Sequence, residues 1–557
     1  MKEDYRPERI DYLIISLVVL VSYILVYAFR YFDNNALTSM YWVFMAVDAR
    51  VVFLFIVFGV LFSYGIAKTS FPEVNQAAFL FALSFALGAL FWRSPETIMD
   101  TSRYFIDAKM MNEFGVLYFI REWGHAVPAW TDLPAGPFFY GLIFKIFGES
   151  RLAIQVFNTT LFSLTVVLVY KIGERQWSRS VGFYGGLLLL GFPYIFSQVP
   201  LMLVDIQTMF FLTLVIYACI EAMERGTWKF TVLASVAIFL AFFSKFSTWL
   251  MLSVVPVIFF IYVKGDRRKI KTAIGVSSRA VCFILIVLIL KIEVFSEQFE
   301  LLNTFQRPGL AGWSESYFST FFFQIHPLVT FAAIYSVYVA WKRKDQKYAI
   351  ASWLLVLLLL LNVQRIRYVL PIFPMFALMA SCGLCELKSS ELRKFAASCI
   401  VTSSVIVAFF AFLPFLMTIS TVNLAEAGAY LDTLPQETVE VYTIVPANTT
   451  YGPKVSVPIL DLFTDKKIIY TDLSVPPERE KIDRNPLRFT FDYELPRIYE
   501  GEGSDENIII IISPGAEDPA PEYLQERLES YEKGETFDTI SVRQYYYRPI
   551  VRVYVPS

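Results

Sequence analysis

Charge is scarce in this chain. Only 18% of its 557 residues are charged, against 56% hydrophobic and 17% aromatic, and the mean hydropathy is +0.52. A soluble domain of this size is rarely so apolar, so the composition points to a polytopic membrane protein. The net charge is −2, and nothing suggests nucleic-acid binding. Cysteine is equally thin. Cys219, Cys282, Cys382, Cys385 and Cys399 lie in or beside apolar segments, and no disulfide framework follows from them. Cys382 and Cys385 have CxxC spacing but no second pair and no nearby histidine, so helix packing is expected rather than metal or redox chemistry. The start of the chain lacks a small-residue cleavage site before its first apolar run, which reads as an uncleaved first span rather than a signal peptide.

Long apolar runs are what the chain has in plenty. A helix needs roughly 20 apolar residues to cross the hydrocarbon core. Runs of that order lie near 11–30, 51–67, 76–92, 151–172, 181–198, 204–222, 229–244, 247–263, 273–292, 327–341, 348–363, 369–386 and 395–417. They predict about thirteen transmembrane helices. Lys264, Arg267, Arg268, Lys269 and Lys271 share one short loop, Lys342, Arg343, Lys344 and Lys347 a second, and Lys388, Arg393 and Lys394 a third. Basic short loops face the cytoplasm. An odd number of spans then puts the N-terminus inside, and the C-terminal tail, Asp100 and Asp205 outside.

Two regions break the pattern of simple spans. The external loop 93–150 carries apolar residues at helical spacing between Asp107 and Arg121, expected as an amphipathic helix along the interface. Pro137–Phe147 is apolar but too short to span, and follows the breaker cluster 132–137. From about residue 421 the texture turns polar and acidic. Val439–Ile444, Lys467–Thr471, Arg488–Tyr493, Ile508–Ile512 and Tyr545–Val555 read as strands and Pro521–Lys533 as a helix. The expectation is a membrane domain over 1–420 and an extracytoplasmic soluble α/β domain over 421–557. Asn448-Thr449-Thr450 is an acceptor sequon on that side, whereas the one at Asn158 falls within a predicted span.

Carboxylates at a membrane rim are costly unless they pair, face water or do chemistry. Asp100 and Asp205 both sit there, each also placed to cap the helix that follows. Lys245 lies between two spans at their outer ends, as a phosphate ligand or a snorkelling lysine. Arg365 and Arg367 break the positive-inside pattern, and arginine matches phosphate oxygens with a two-pronged fork. His326 opens a span after a long external loop.

Taken in order, Asp100-Thr101-Ser102-Arg103-Tyr104, then Pro137–Gly148, Arg151, Leu203-Val204-Asp205, Ala241–Lys245 and Arg365-Ile366-Arg367-Tyr368 resemble the GT-C class of polyprenyl-phosphate-sugar-dependent glycosyltransferases. Protein mannosyltransferases and lipid A aminoarabinose transferases are the subfamilies most resembled, over roughly 93–417. The resemblance implies a membrane glycosyltransferase moving a monosaccharide from a dolichyl- or polyprenyl-phosphate donor to a protein, lipid or glycan acceptor on the outer face, by inverting direct displacement. It implies Asp100 as general base, Asp205 as a second acid orienting the sugar, and Arg103, Tyr104, Lys245, His326, Arg365 and Arg367 as ligands of the substrate or lipid phosphate. No cofactor is called for, and a divalent ion between an acid and the phosphate stays open. The chain departs from the family at Thr131-Asp132-Leu133-Pro134, where relatives often carry an acidic residue, lysine and two prolines. It also lacks the Trp-Trp-Asp run of oligosaccharyltransferase catalytic subunits. A transporter or flippase of a lipid-linked or anionic substrate is the alternative; it needs midplane charges and internal repeats, and neither is evident. A non-catalytic scaffold presenting the external domain would leave both acids dispensable.

Overall fold

The computed structural model describes residues 7–33, 39–69, 75–306, 315–419, 421–445, 451–472, 482, 487–515, 520–539 and 547–557. Seven helices among them are long and apolar enough to cross a membrane: Arg9–Phe32, Ala49–Lys68, Arg151–Gln176, Val204–Arg225, Arg267–Leu290, Ile366–Leu384 and Ser390–Ile419. An eighth span results if Tyr317–Gln324 and Pro327–Arg343, bent by 110°, are one. The other expected spans coincide with shorter helices, among them Gln76–Ala89, Trp228–Phe242 and Tyr348–Leu360. The count of thirteen is therefore not established, although each of the thirteen runs forms helix.

Burial sorts these helices. Val204–Arg225 and Ile366–Leu384 are almost wholly enclosed, whereas Arg9–Phe32 and Arg267–Leu290 expose most of their surface. Along their middles the exposed residues are mainly Leu, Ile, Val and Phe, as lipid-facing helices require, while the enclosed ones carry Asp205, Gln207, Thr208 and Arg367. Close helix approach rests on small residues. A Cβ on Gly182 would lie 2.2 Å from the Tyr170 carbonyl oxygen, and one on Gly383 would lie 2.1 Å from that of Ala332.

The loop after Gln76–Ala89 carries two helices where one was expected. A helix begins at Thr101, directly after Asp100, and ends at Phe114. Gly115, at φ +90°, breaks it from a second helix, Val116–Glu122. The single helix expected from Asp107 to Arg121 is thus two, because that backbone angle is open to glycine and costly for other residues. Ala135–Phe147 forms the short apolar helix foreseen at Pro137–Phe147.

Beyond Val422–Leu431 the chain builds one five-stranded sheet: β1 Thr438–Thr443, β2 Lys467–Asp472, β3 Ile508–Ser513, β4 Tyr531–Phe537 and β5 Ile550–Pro556, in the order β2-β1-β3-β5-β4. β1 runs parallel to β2 and β3, and β5 pairs antiparallel with β3 and β4. β3 is a run of isoleucines buried on both faces, as a central strand flanked on two sides should be. Two expectations fail here. Arg488–Thr490 is a tight helical turn, not a strand. The helix expected over Pro521–Lys533 stops at Leu528, and β4 takes up Tyr531 to Phe537. The charges of β4 suit an exposed sheet edge, where they block pairing with other chains. The sequon at Asn448 lies outside the described residues. Asn158 is buried, and its amide donates to the Leu201 carbonyl at 2.7 Å.

The sheet and the first loop share one apolar core. Val439, Ile508, Ile510 and Val551 pack in the same cluster as Met99, Met110, Phe119 and Trp123. The C-terminal unit is therefore built onto the loop that carries Asp100.

Candidate active site

Neither acid caps a helix. Asp100 precedes Thr101–Phe114 in αR geometry and makes no side-chain cap bond, and Asp205 lies inside the first turn of Val204–Arg225, after Leu203. Their carboxylates are spent on cations instead. Arg367, delivered by the enclosed helix Ile366–Leu384, bridges them: Nη1 lies 2.5 Å from Asp100 Oδ2, and Nε lies 2.8 Å from Asp205 Oδ2. Lys245 donates to the other oxygen of Asp205 at 2.6 Å. Arg103, one turn along from Asp100, is 3.4 Å from its Oδ1 and pairs more closely with Asp132, Nε to Oδ2 at 2.6 Å. Tyr104 donates to Asp132 Oδ1 at 3.1 Å. Tyr368 presents its ring to two cations, Lys245 Nζ at 4.7 Å and the Arg365 guanidinium at 5.4 Å, within the range of cation–π attraction.

Three aspartates, Asp100, Asp132 and Asp205, thus meet three cations, Arg103, Lys245 and Arg367, with Arg365 beside them. Burial disfavours the charge on Asp100, but the guanidinia of Arg367 and Arg103 outweigh it and hold the carboxyl well below the usual carboxylate range. For Tyr104, burial and the nearby Asp132 push the phenol well above its ordinary value. Tyr104 is therefore a hydrogen-bond donor near neutral pH.

Of the residues singled out in the sequence, Asp100, Asp205, Arg103, Tyr104, Lys245, Arg365 and Arg367 come together. His326 does not join them. Its Nδ1 accepts from the Leu328 N–H at 3.1 Å and its Nε2 pairs with Ser403 Oγ at 3.0 Å. Nδ1 thus caps the helix Pro327–Arg343 while Nε2 ties it to the helix Ser390–Ile419, so the ring is placed as a cap and not among the expected phosphate ligands. Asp132 is the partner that sequence reasoning underrated, although it was the one acid in the stretch that departs from the family. Glu96 is a structural tie: its carboxylate accepts from Thr101 Oγ1 at 2.9 Å, Arg151 Nε at 3.1 Å and the Met202 N–H at 3.1 Å. Phe489, whose ring lies 5.1 Å from the Arg103 guanidinium carbon, carried no signal, since it falls in a stretch that reads as a strand. Among the described residues, no group of three or more His, Cys, Asp or Glu side chains is arranged to hold a metal ion.

Residues 128–290 match the family model for dolichyl-phosphate-mannose-protein mannosyltransferases, and residues 305–450 match that of the Alg9-like mannosyltransferase family. The fold is similar to that of ArnT from Cupriavidus metallidurans bound to undecaprenyl phosphate, with TM-score 0.55 and 10% identity over 86% of this chain and 98% of that one. Two mannosyltransferase family models thus match separate stretches of the chain, and the likeness to ArnT shows a shared fold. The same ArnT in its apo state gives TM-score 0.52 and 11% identity over the same shares. Compared by sequence with curated proteins, the chain matches none. Asp100 and Arg103 lie ahead of both matched stretches, so the geometry of those residues is read from the structure alone.

Proposed function

We propose that this enzyme transfers a monosaccharide from a dolichyl- or polyprenyl-phosphate carrier to an acceptor on the outer face of the membrane, with inversion at the anomeric carbon. The observation that carries the reading is Arg367, shared between Asp100 and Asp205. In the proposed step the acceptor oxygen attacks C1 of the sugar as Asp100 takes its proton. The bond from C1 to the phosphate oxygen breaks, and the lipid phosphate leaves with the electron pair. Lys245, Arg365 and Arg367 meet the charge that develops on it, in a place where little water competes. Asp205 keeps Lys245 and Arg367 in position for that charge.

The same bridge explains how the base is readied. Pinned by Arg367, Asp100 is ionised but weakly basic, and a general base works best with a pKa near the operating pH. A donor phosphate arriving among Lys245, Arg365 and Arg367 competes with Asp100 for the Arg367 fork. As that contact loosens, the carboxylate regains basicity where the acceptor binds. The C-terminal sheet, in this reading extracytoplasmic, stands over the loop helix on the acceptor side. Each of the three aspartates already has a cation, so the charge on the phosphate falls to fixed side chains, and a divalent ion would first have to displace one of them.

The test is transfer by the purified protein in lipid from a panel of labelled polyprenyl-phosphate sugars, with the anomeric configuration of the product read by NMR. Turnover with inversion, abolished by Asp100→Asn in a protein that still binds polyprenyl phosphate, supports the proposal. Retained configuration, or equal turnover in Asp100→Asn, sinks it.

A further inference from the structure

The helix that follows Asp100 is held at its start and again in its third turn, and the second of these holds comes partly from the C-terminal unit. At the start stand Arg367 and Asp132. In the third turn, Lys109 reaches Asp461 Oδ2 at 2.8 Å and Glu149 Oε2 at 3.1 Å. Asp461 closes the short helix Ser456–Asp461 of the C-terminal unit. It is almost fully buried, and the Tyr499 hydroxyl donates to the same Oδ2 at 2.8 Å. Leu462, next in the chain, packs with Tyr104, Phe105 and Ala108 on the loop helix. The ring of Phe489 lies over the Arg103 guanidinium. Contacts from the C-terminal unit therefore fall on the first three turns of the helix that follows Asp100.

A helix rises about 1.5 Å per residue, so Lys109 stands roughly 13 Å along the axis from Asp100. A rod fixed only near Asp100 could pivot, and a second hold at that distance prevents it. The tolerance is small, because a displacement of about 1 Å in a reacting group can cost roughly a hundredfold in rate.

We infer that the C-terminal unit is a working part of the active site, in which Asp461, through Lys109, and Phe489, through Arg103, are positioning residues that set the helix bearing Asp100. The inference rests on the reading of Asp100 as the base. It gives the C-terminal unit a task beyond shaping access.

The experiment uses the full chain in lipid and compares wild type with Asp461→Asn and Phe489→Leu, with Asp100→Asn assayed alongside. Three quantities are read: kcat, the KM for the donor, and amide hydrogen exchange over residues 101–114 without substrate. Asp461→Asn is expected to lower kcat about tenfold or more, to leave the donor KM within about twofold, and to speed exchange over 101–114. Phe489→Leu should do the same to a lesser degree. Wild-type kcat in Asp461→Asn overturns the inference, as does a fall that only tracks the fraction of folded protein. If no donor in the panel turns over, exchange alone decides, and unchanged protection of 101–114 in Asp461→Asn overturns it. An inactive Asp100→Asn beside a normal Asp461→Asn removes this inference and leaves the base in place. An active Asp100→Asn removes the base reading itself.

Discussion

Two buried ionic networks in this molecule are built on opposite plans. In the C-terminal sheet, Glu440 of β1 receives Arg527 at 2.6 and 3.0 Å, the Ser504 N–H at 2.7 Å, the Asn507 amide at 2.8 Å and the Tyr442 hydroxyl at 2.9 Å. One cation and three neutral donors satisfy one carboxylate. At the candidate site, three carboxylates are satisfied largely by cations, two of which serve more than one partner. The first arrangement is complete without a ligand. The second is balanced by long side chains whose hydrogen bonds a phosphate could take over, and that exchangeability separates a site from a strut.

The sharpest way to break this contrast is Asp100→Asn. General-base assistance typically contributes between a hundredfold and ten-thousandfold, so a loss in kcat of roughly a thousandfold is expected, with binding of polyprenyl phosphate retained. Residual turnover near wild type would place Asp100 with Glu440 among the struts. Arg367→Lys comes next. It keeps the charge but loses the fork that joins two acids, so a fall of about a hundredfold in kcat/KM is expected. A lysine that restored full turnover would show that charge suffices and the bridge does not matter.

Glu440→Gln should act in the opposite way. It breaks a charge-assisted pair far from the chemistry, so about 2 kcal/mol of stability is at stake, while kcat is unchanged in protein that remains folded. Arg527 and the neutral donors outweigh burial and hold the Glu440 carboxyl down at about 2. A lowered acid adds stability above its ordinary value near 4.5, and that stability is lost as the pH falls through about 2. Unfolding followed from pH 5 downward should therefore steepen in wild type and not in Glu440→Gln. A matching acid slope in both chains would put the linkage elsewhere. His326→Ala is the milder case. Its loss as a helix cap should cost about 1 kcal/mol and leave the donor KM within about twofold. A large rise in that KM would return His326 to the phosphate site.

The sequence carried the helices well, because apolar runs near the length of a bilayer leave little choice of structure. It also pointed to most of the candidate site, since Asp100, Asp205, Lys245 and Arg367 are costly in lipid unless something nearby answers them. What it hid depends on distant contacts. Arg488–Tyr493 has strand composition, yet Thr490 is turned to receive the Gly452 N–H at 2.7 Å and Phe489 to cover Arg103, so tertiary packing overrides β propensity. β4 was missed because its buried and exposed residues do not alternate cleanly. His326 misled for a related reason. A histidine at the rim of a span has the composition of a ligand, and only the positions of Leu328 and Ser403 show that both ring nitrogens are used.

The smallest effect expected comes from an acid between the two plans. Glu315 is buried just ahead of Tyr317, and its Oε2 accepts the Ile366 N–H at 2.8 Å, at the start of the helix that delivers Arg367. Burial pushes its carboxyl up to about 7, despite that hydrogen bond and the nearby Arg365. The sign is the reverse of that for Glu440. A raised acid keeps its full contribution below the unfolded value near 4.5, and loses it as the pH climbs through about 7. Wild type should therefore melt at a lower temperature at pH 8 than at pH 5.5, by more than Glu315→Gln does. The amide cannot ionise, and it retains an oxygen for the Ile366 N–H. Because the helix begins at that bond, the alkaline loss should be accompanied by faster amide exchange around Ile366. Equal pH slopes in the two proteins would mean that Glu315 is already charged below pH 7, paired as fully as Asp100.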